Sequence, residues 1–552
     1  MAYSVSPFKS ISDSISRCEN SEYYGNGYDV HESDRFKYLD EYLKKIEVRT
    51  VIIEHEYVDR NFIDDYCGYY ARSFRDYPKK CVRLLLFSSV FDDDYLKAAV
   101  SAKDNERRDS ISNSFLGYIV LRPIPGAHLG KVCIATYPNE AGKLRTFPLC
   151  KPYHAHFMGM TLTVDSVAFQ EQDNVISACA TSALWTAFHC IKSNVLADVP
   201  SPFKITDIAK QVFVESIPEN VIDKGLMPPQ MAAVISECGL SPLLSGYVSK
   251  SMLKAIVRAY MNVGLPVIIG ITLAHEDESF YNENPSGYII GNHAVTINGY
   301  RFSENIIPPA FSDNNPLRIS QQDPDLDLFL LSSRIDKFYS HDDQIGPFSS
   351  MEDRSEYWQR LETRWNFYRN QSDKVDASIN VILIPCIPKI RIRFALIINF
   401  IKRCNSIFAG IWRHFGRNLV WDPKIFCVND FKESIANRSL YPDLDDGLRL
   451  KLLSKDLPRY MWVVDSFIDE DESLQPIITF IFDATDMDSS DYLILALHHR
   501  RDIFDLYCAH LSDWSNEEFD NYISGNRKNI AVLKSLLTSY RNGNPTEKLW
   551  HS

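Results

Sequence analysis

An α+β protein of several domains is what the sequence predicts, and three observations carry that expectation. At 552 residues the chain exceeds what one hydrophobic core usually holds. Short β-branched and aromatic runs bounded by turn residues share the chain with stretches whose apolar residues recur every three or four positions. In the middle of the chain the helical runs come first and the strand runs second, which segregates helices from sheet within one segment. Hydrophobic residues at 45% and charged residues at 24% are those of an ordinary globular chain. The formal net charge of −13 argues against a partner that is nucleic acid, because backbone binding needs clustered Lys and Arg.

Residues 1–40 are polar and rich in Ser, Tyr and Asp, and are expected to be a loosely ordered lead-in. An N-terminal α+β accessory domain over 41–160 follows from "VRTVIIEHEYV", "CVRLLLFSSV" and "SFLGYIVLRPIPG" as strands, with "NFIDDYCGYYARSF" as a helix among them. The central domain, 161–390, has helices at "ACATSALWTAFH", "FKITDIAKQVFVE", "PPQMAAVISECGL" and "KSMLKAIVRAYMNVG". Strands follow at "LPVIIGITLA", "HAVTINGYRF", "RIDKFYSHD" and "SINVILIPC", and "MEDRSEYWQRLETRWNFYRN" has the spacing of a charged amphipathic helix. A C-terminal α+β accessory domain, 391–552, carries a hairpin of "RYMWVVDSFI" and "PIITFIFDAT" around the acidic "DEDESLQ". Tyr460 and Trp462 are expected in its core, and "LALHHR" is expected to put His498 and His499 on a helix surface.

The most apolar stretch, "INVILIPCIPKIRIRFALIINFIKRC", is broken by Pro385, Pro388, Lys389, Arg391 and Arg393 short of the ~20 residues a bilayer span needs. It reads as a buried strand and an amphipathic helix, with no membrane partner. Twelve scattered cysteines without a CxxC pair, behind a polar N-terminus, suggest a reducing, cytoplasmic setting.

The chemistry concentrates around "QEQDNVISACATSALW", Gln170 to Trp185. A thiol reacts as thiolate, and a helix N-terminus favours the negative sulfur. Asn174 and Ser177 are N-cap candidates, so Cys179 falls in the first turn of a helix whose apolar face is Ala180, Ala183, Leu184, Ala187 and Phe188. Gln170 or Gln172 could place a side-chain amide beside it as an oxyanion donor. Downstream, His293 opens one strand, and His341, Asp342 and Asp343 end another: a thiol needs an imidazole as base and a carboxylate as its orienter.

The order Gln, Cys on a helix, His on a strand and Asp on a later strand resembles the papain-like cysteine peptidase fold, most similarly its bacterial C39-like branch. "LPVIIGI" and "NHAVTINGY" are similar to that family's strands before and through the catalytic histidine. The resemblance covers about residues 166–350 and implies a nucleophile helix packed on an antiparallel sheet. It implies Cys179 as nucleophile, His293 as general base, Gln172 as oxyanion donor and Asp342 as orienter, with Asp343 a near-equal alternative. Gln172 stands seven positions before Cys179 rather than the family's usual six, which keeps Gln170 open. A long insertion between His293 and Asp342 keeps Asp313 open as an orienter and could form a lid.

The function this implies is cleavage of a peptide or isopeptide bond through a thioester, the substrate being a protein or peptide and the flanking domains selecting it or serving a protein regulator. Acyl transfer, deamidation or transglutamination would use the same residues, and a catalytically inactive interaction module would use the fold alone. No cofactor and no metal is expected. "YHAHF" puts His154 and His156 on one strand face without a third ligand, the acidic "DEDES" and "DATDMDSSD" lack an EF-hand's spacing, and no glycine-rich phosphate loop occurs.

Overall fold

The computed structural model describes residues 3–18, 33–101, 105–139, 144–173, 179–212, 225–246, 248–275, 289–303, 328–353, 360–367, 375–468, 475–487, 492–518, 530–542 and 549–551. The chain is mixed α+β with several antiparallel sheets. It divides into two compact units, the first comprising Met1–Lys250, Gly264–Ser303 and Ile335–Cys386, the second Ser251–Val263, Glu304–Arg334 and Ile387–Ser552.

The first unit opens with an antiparallel meander of β1 (Tyr3–Pro7), β2 (Thr50–Tyr57), β3 (Cys81–Phe87), β4 (Phe115–Leu121) and β5 (Leu129–Ile134), in that spatial order. The lead-in expected over 1–40 is therefore structured where it is described. "YSVSP" pairs Tyr3 to Glu54 and Pro7 to Thr50, supplying an edge strand whose backbone bonds need no apolar sequence signal. Helix α1 (Asp34–Lys45) buries Phe36, Tyr38, Leu39, Tyr42 and Leu43, one face of a 3.6-residue period.

The boundary expected near 160 does not separate compact units. A hairpin of β7 (Lys151–Phe157) and β8 (Met160–Ser166) runs through it, with β6 (Arg145–Thr146) before it. One apolar core then joins Leu85, Tyr118 and Leu162 to Trp185, Phe188, Val234 and Leu383. Helix α2 (Cys179–Cys190) is the reason. Every residue from Ala180 to Cys190 is buried, so it is a central helix packed on all sides, not one with a single apolar face. Ala180, Ala183 and Ala187 let neighbours close in, and Thr296 Oγ1 donates to Ala183 O at 2.6 Å from the adjoining sheet. Helix α3 (Pro202–Lys210) packs beside it, and helix α4 (Pro228–Glu237) packs on α3.

That sheet contains β9 (Ser241–Gly246), β10 (Val267–His275), β11 (Ile289–Phe302), β13 (Ile335–Asp342), β14 (Gly346–Glu352), β15 (Arg360–Glu362) and β16 (Val375–Cys386). Strand β10 pairs with both β11 and β16, so the path from β10 through β11, β13, β14 and β15 to β16 closes on itself. The amphipathic helix expected at "MEDRSEYWQRLETRWNFYRN" is corrected where it is described. Arg360–Glu362 bridges β14 to β16, with Leu361 fully buried, because the closing sheet offers that backbone two partners.

In the second unit, β12 (Phe329–Leu330), β17 (Leu419–Cys427), β18 (Tyr460–Ile468), β19 (Ile478–Asp483), β20 (Leu493–His498) and β21 (Leu549–His551) lie in that order. The hairpin read from the sequence is β18 and β19, and Trp462 is fully buried. "LALH" belongs to β20 rather than to a helix, with His499 just past the strand, and His498 is fully buried with Nε2 2.6 Å from Tyr540 Oη. The short run is apolar enough for either element, and pairing with β19 decides it. Helix α5 (Lys250–Met261) contributes Arg258, whose guanidinium binds Asp422 through two bonds of 2.5 and 2.7 Å. Helix α6 (Phe394–His414), at 21 residues, is longer than the breaks in its sequence suggested, and long and apolar enough to cross a membrane. About half of its apolar window (56%) is buried, with Phe400 against Phe480 and Phe482 and Trp412 Nε1 bonded to Tyr507 Oη at 2.8 Å.

Candidate functional site

Cys179 is the first residue of α2, where the leading N–H groups have no intrahelical acceptor and the helix dipole is positive. The N-cap candidates Asn174 and Ser177 lie outside the described residues, as does Asp313. Cys179 is partly exposed and lines one cavity with His293 on β11, whose charge its sulfur favours.

His293 is presented next to an irregularity. The register of β10 and β11 shifts between Leu273 and Ala274, and Gly291, two residues before the histidine, has φ of +157°, in the half of the map that glycine alone enters freely. A bulge of this kind re-aims the side chains that follow it. On the other flank, β13 ends at Asp342. Strand alternation would send His341 and Asp342 to opposite faces, and the register with β14 shifts between Ser340 and Asp342. His341 turns inward: its Nδ1 accepts from Asn298 Nδ2 at 2.8 Å and Phe348 N at 3.1 Å, and its Nε2 donates to Val167 O at 3.0 Å. Burial pushes this ring down to about 3, so it is a neutral structural histidine.

Asp342 faces the site. His293 Nε2 lies 3.0 Å from Asp342 Oδ1, leaving Nδ1 as the ring nitrogen for the thiol. Asp343 Oδ1 is 3.6 Å from the same Nε2. Three donors converge on Asp342: the imidazole, Gln344 N at 3.0 Å to Oδ1, and Trp365 Nε1 at 3.0 Å to Oδ2. The Trp365 ring also stands edge-on to His293, centroids 5.5 Å apart.

The electrostatics follow from burial and from these contacts. Burial of His293 disfavours its charge, but the Asp342 carboxylate, the Cys179 sulfur and Asp343 outweigh it and hold the ring well above its ordinary value. Burial likewise raises Asp342, yet the imidazole and the two N–H donors hold it below the usual carboxylate range. Asp343 has fewer donors, and burial, reinforced by Asp342, pushes it up to about 6 against the pull of His293 and Arg35. The adjacent carboxylates thus divide: the first stays ionised beside the ring, and the second is raised to about 6.

Gln172 is brought to the same cluster, its Oε1 accepting from Gln344 Nε2 at 3.2 Å. Gln170 is buried. Trp365, Gln344, Arg35 and Glu171 were not singled out from the sequence. Gln344 and Glu171 stand next to residues that were, but neither has a motif of its own. His293, Asp342 and Asp343 bring a ring nitrogen and two carboxylates within 4.8 Å of one another, a set that could hold a metal ion. Asp342, however, already accepts from Trp365 and Gln344 on both oxygens. Among the described residues His154 and His156 enter no such group; they are exposed and bond Thr163 and Thr161 across the hairpin at 2.9 and 3.3 Å.

Cys179 and His293 open on a cavity of about 250 Å³. Its apolar wall includes Leu226, Met231, Ile268, Val381 and Leu383, and Asn292 and Asn380 join it through Thr272 with bonds of 2.8 and 2.7 Å. No protein-family model and no curated protein matches the chain.

Proposed function

We propose that the protein is a cysteine hydrolase of papain-like type that cleaves a peptide or isopeptide bond through a thioester on Cys179. One observation carries the reading: a thiol at a helix N-terminus shares one cavity with a buried imidazole whose Nε2 is 3.0 Å from a buried, ionised carboxylate. The helix of the thiol packed against a closed antiparallel sheet supports the papain-like assignment, and the C39-like branch rests on the strand motifs around His293.

The chemistry then runs as follows. His293 takes the thiol proton, and the sulfur attacks the carbonyl carbon. The imidazolium, stabilised by Asp342, returns the proton to the leaving amine as the C–N bond breaks. Water, deprotonated by the same ring, attacks the thioester; the carboxylic acid leaves and the thiol reforms. Gln172 would donate to the oxyanion. The substrate is a protein or peptide, and the regions outside the site would select it or receive a regulator. Twelve free cysteines fit a reducing cytoplasm.

The test is covalent labelling with iodoacetamide together with hydrolysis of p-nitrophenyl acetate. Cys179→Ala should abolish turnover and remove the labelled site, and His293→Ala should slow both. Undiminished turnover in both variants refutes the enzyme and leaves an interaction module. Mass analysis of products with an added amine separates hydrolysis from acyl transfer or deamidation.

A further inference from the structure

We propose that Gln344, held by Arg35, is a positioning residue that fixes the amide of Gln172 relative to the carboxylates behind His293. This rests on the thiol-enzyme reading above and deepens it.

A carboxamide has two N–H donors and one acceptor oxygen, and Gln344 uses both kinds. Its Nε2 donates to Gln172 Oε1 and to Asp343 Oδ2, each at 3.2 Å, and its Oε1 accepts from Arg35 Nη2 at 3.3 Å. Its backbone N–H meanwhile holds Asp342 Oδ1. One residue therefore ties the orienting carboxylate, its neighbour and the oxyanion glutamine together. The consequence for Gln172 is directional. With Oε1 committed to Gln344, the NH₂ group of Gln172 faces away from Gln344.

Arg35 sets the direction of the relay. A guanidinium only donates, so it compels Gln344 to present oxygen to it and nitrogen to Gln172 and Asp343. Arg35 also pairs with Glu171, the residue before Gln172, whose Oε2 accepts from Leu129 N at 2.8 Å. Helix α1 delivers Arg35 because Tyr38, one turn on, locks onto the same turn of β13 and β14. Tyr38 Oη donates to Pro347 O at 2.8 Å, and its ring fills the space a Cβ on Gly346 would need, 2.5 Å from Cδ1. The segment that looked like a lead-in thus forms the back wall of the site.

The experiment compares two reactions of Cys179. Alkylation by iodoacetamide needs the thiolate but develops no oxyanion; acylation by p-nitrophenyl acetate needs both. Gln344→Leu, which removes the relay and keeps the backbone N–H, should lower kcat on the ester roughly tenfold to a hundredfold with KM little changed, while alkylation falls far less. Gln344→Glu presents oxygen to Gln172 and Asp343, and its loss should ease at acidic pH as a shared proton restores a donor. Gln172→Ala and Gln344→Leu together should lose no more than Gln172→Ala alone. Equal losses in both reactions, or additive losses in the double variant, overturn the proposal. If Cys179→Ala keeps full ester turnover, the thiol reading itself has failed, a result the Gln344 variants cannot mimic.

Discussion

Asp342→Asn tests the site most sharply, because it keeps the shape and replaces one acceptor by a donor. In the native arrangement Oδ1 accepts from His293 Nε2 and Gln344 N, and Oδ2 accepts from Trp365 Nε1, all at 3.0 Å. An asparagine offers one end of each kind. If its Nδ2 replaces Oδ2, it opposes the indole N–H; if it replaces Oδ1, it opposes both the ring and the Gln344 N–H. Neither orientation satisfies every donor. The charge-assisted bond to the imidazolium is worth about 1.5–3 kcal/mol, which predicts a fall in kcat/KM of roughly tenfold to 150-fold on p-nitrophenyl acetate. The opposed buried donor costs a further ~1–3 kcal/mol, read in urea unfolding. Trp365→Phe removes that donor. It should therefore destabilise the native protein but cost less, or nothing, in the Asp342→Asn background. Asp343→Asn is the contrast, since that carboxyl is 3.6 Å from the ring and held near 6; its loss of kcat/KM should be the smaller one. Equal losses for the two asparagines, or strictly additive Trp365 and Asp342 effects, would refute the assignment of Asp342 as orienter.

Three further outcomes are expected. Burial pushes Asp65 up to about 7 even though it accepts Phe203 N at 3.0 Å. A carboxyl raised in the folded state above its unfolded value of about 3.9 stabilises below the lower value and loses that contribution as pH rises through the higher. Urea unfolding should thus show Asp65→Asn gaining on the native protein between pH 4 and 8, by on the order of 4 kcal/mol, and a loss over that range would show the burial argument wrong. Arg258→Leu leaves Asp422, 1% exposed, with only Lys424 at 3.1 Å of its two cationic partners; the second unit's unfolding free energy should drop by about 3 kcal/mol or more. Gly346→Ala puts a Cβ into the Tyr38 ring at a φ of +148°; a cost of ~1–3 kcal/mol in thermal unfolding is expected, with slower alkylation of Cys179 as the turn bearing Asp342 shifts.

What the sequence made legible, and what it did not, follows from where each signal resides. The β10 run was readable because "PVIIGI" is a continuous apolar stretch, and the β11 run because "HAVTINGY" carries β-branched and aromatic residues through a fully buried strand segment. Cys179 and Asp342 were readable because each sits at an element boundary, a helix start and a strand end before a turn, and His293 because a glycine marks the chain two residues before it, although β11 itself already begins at Ile289. Arg35, Gln344 and Trp365 carry no such mark. Their roles exist only through partners far away in the chain, 309 residues from Arg35 to Gln344 and 23 from Trp365 to Asp342. Arg360–Glu362 misled for a related reason, since a short charged run takes the geometry that its neighbours' unpaired backbone offers. The unity of the first unit was hidden as well. Alanines in α2 look like one apolar stripe in the sequence, but the helix is buried throughout, and residues of the five-stranded meander and of the closed sheet belong with it to one core. The burial that merges those layers also keeps His293 and Asp342 from water, so the core that erases the expected domain boundary holds the candidate site's charges in place.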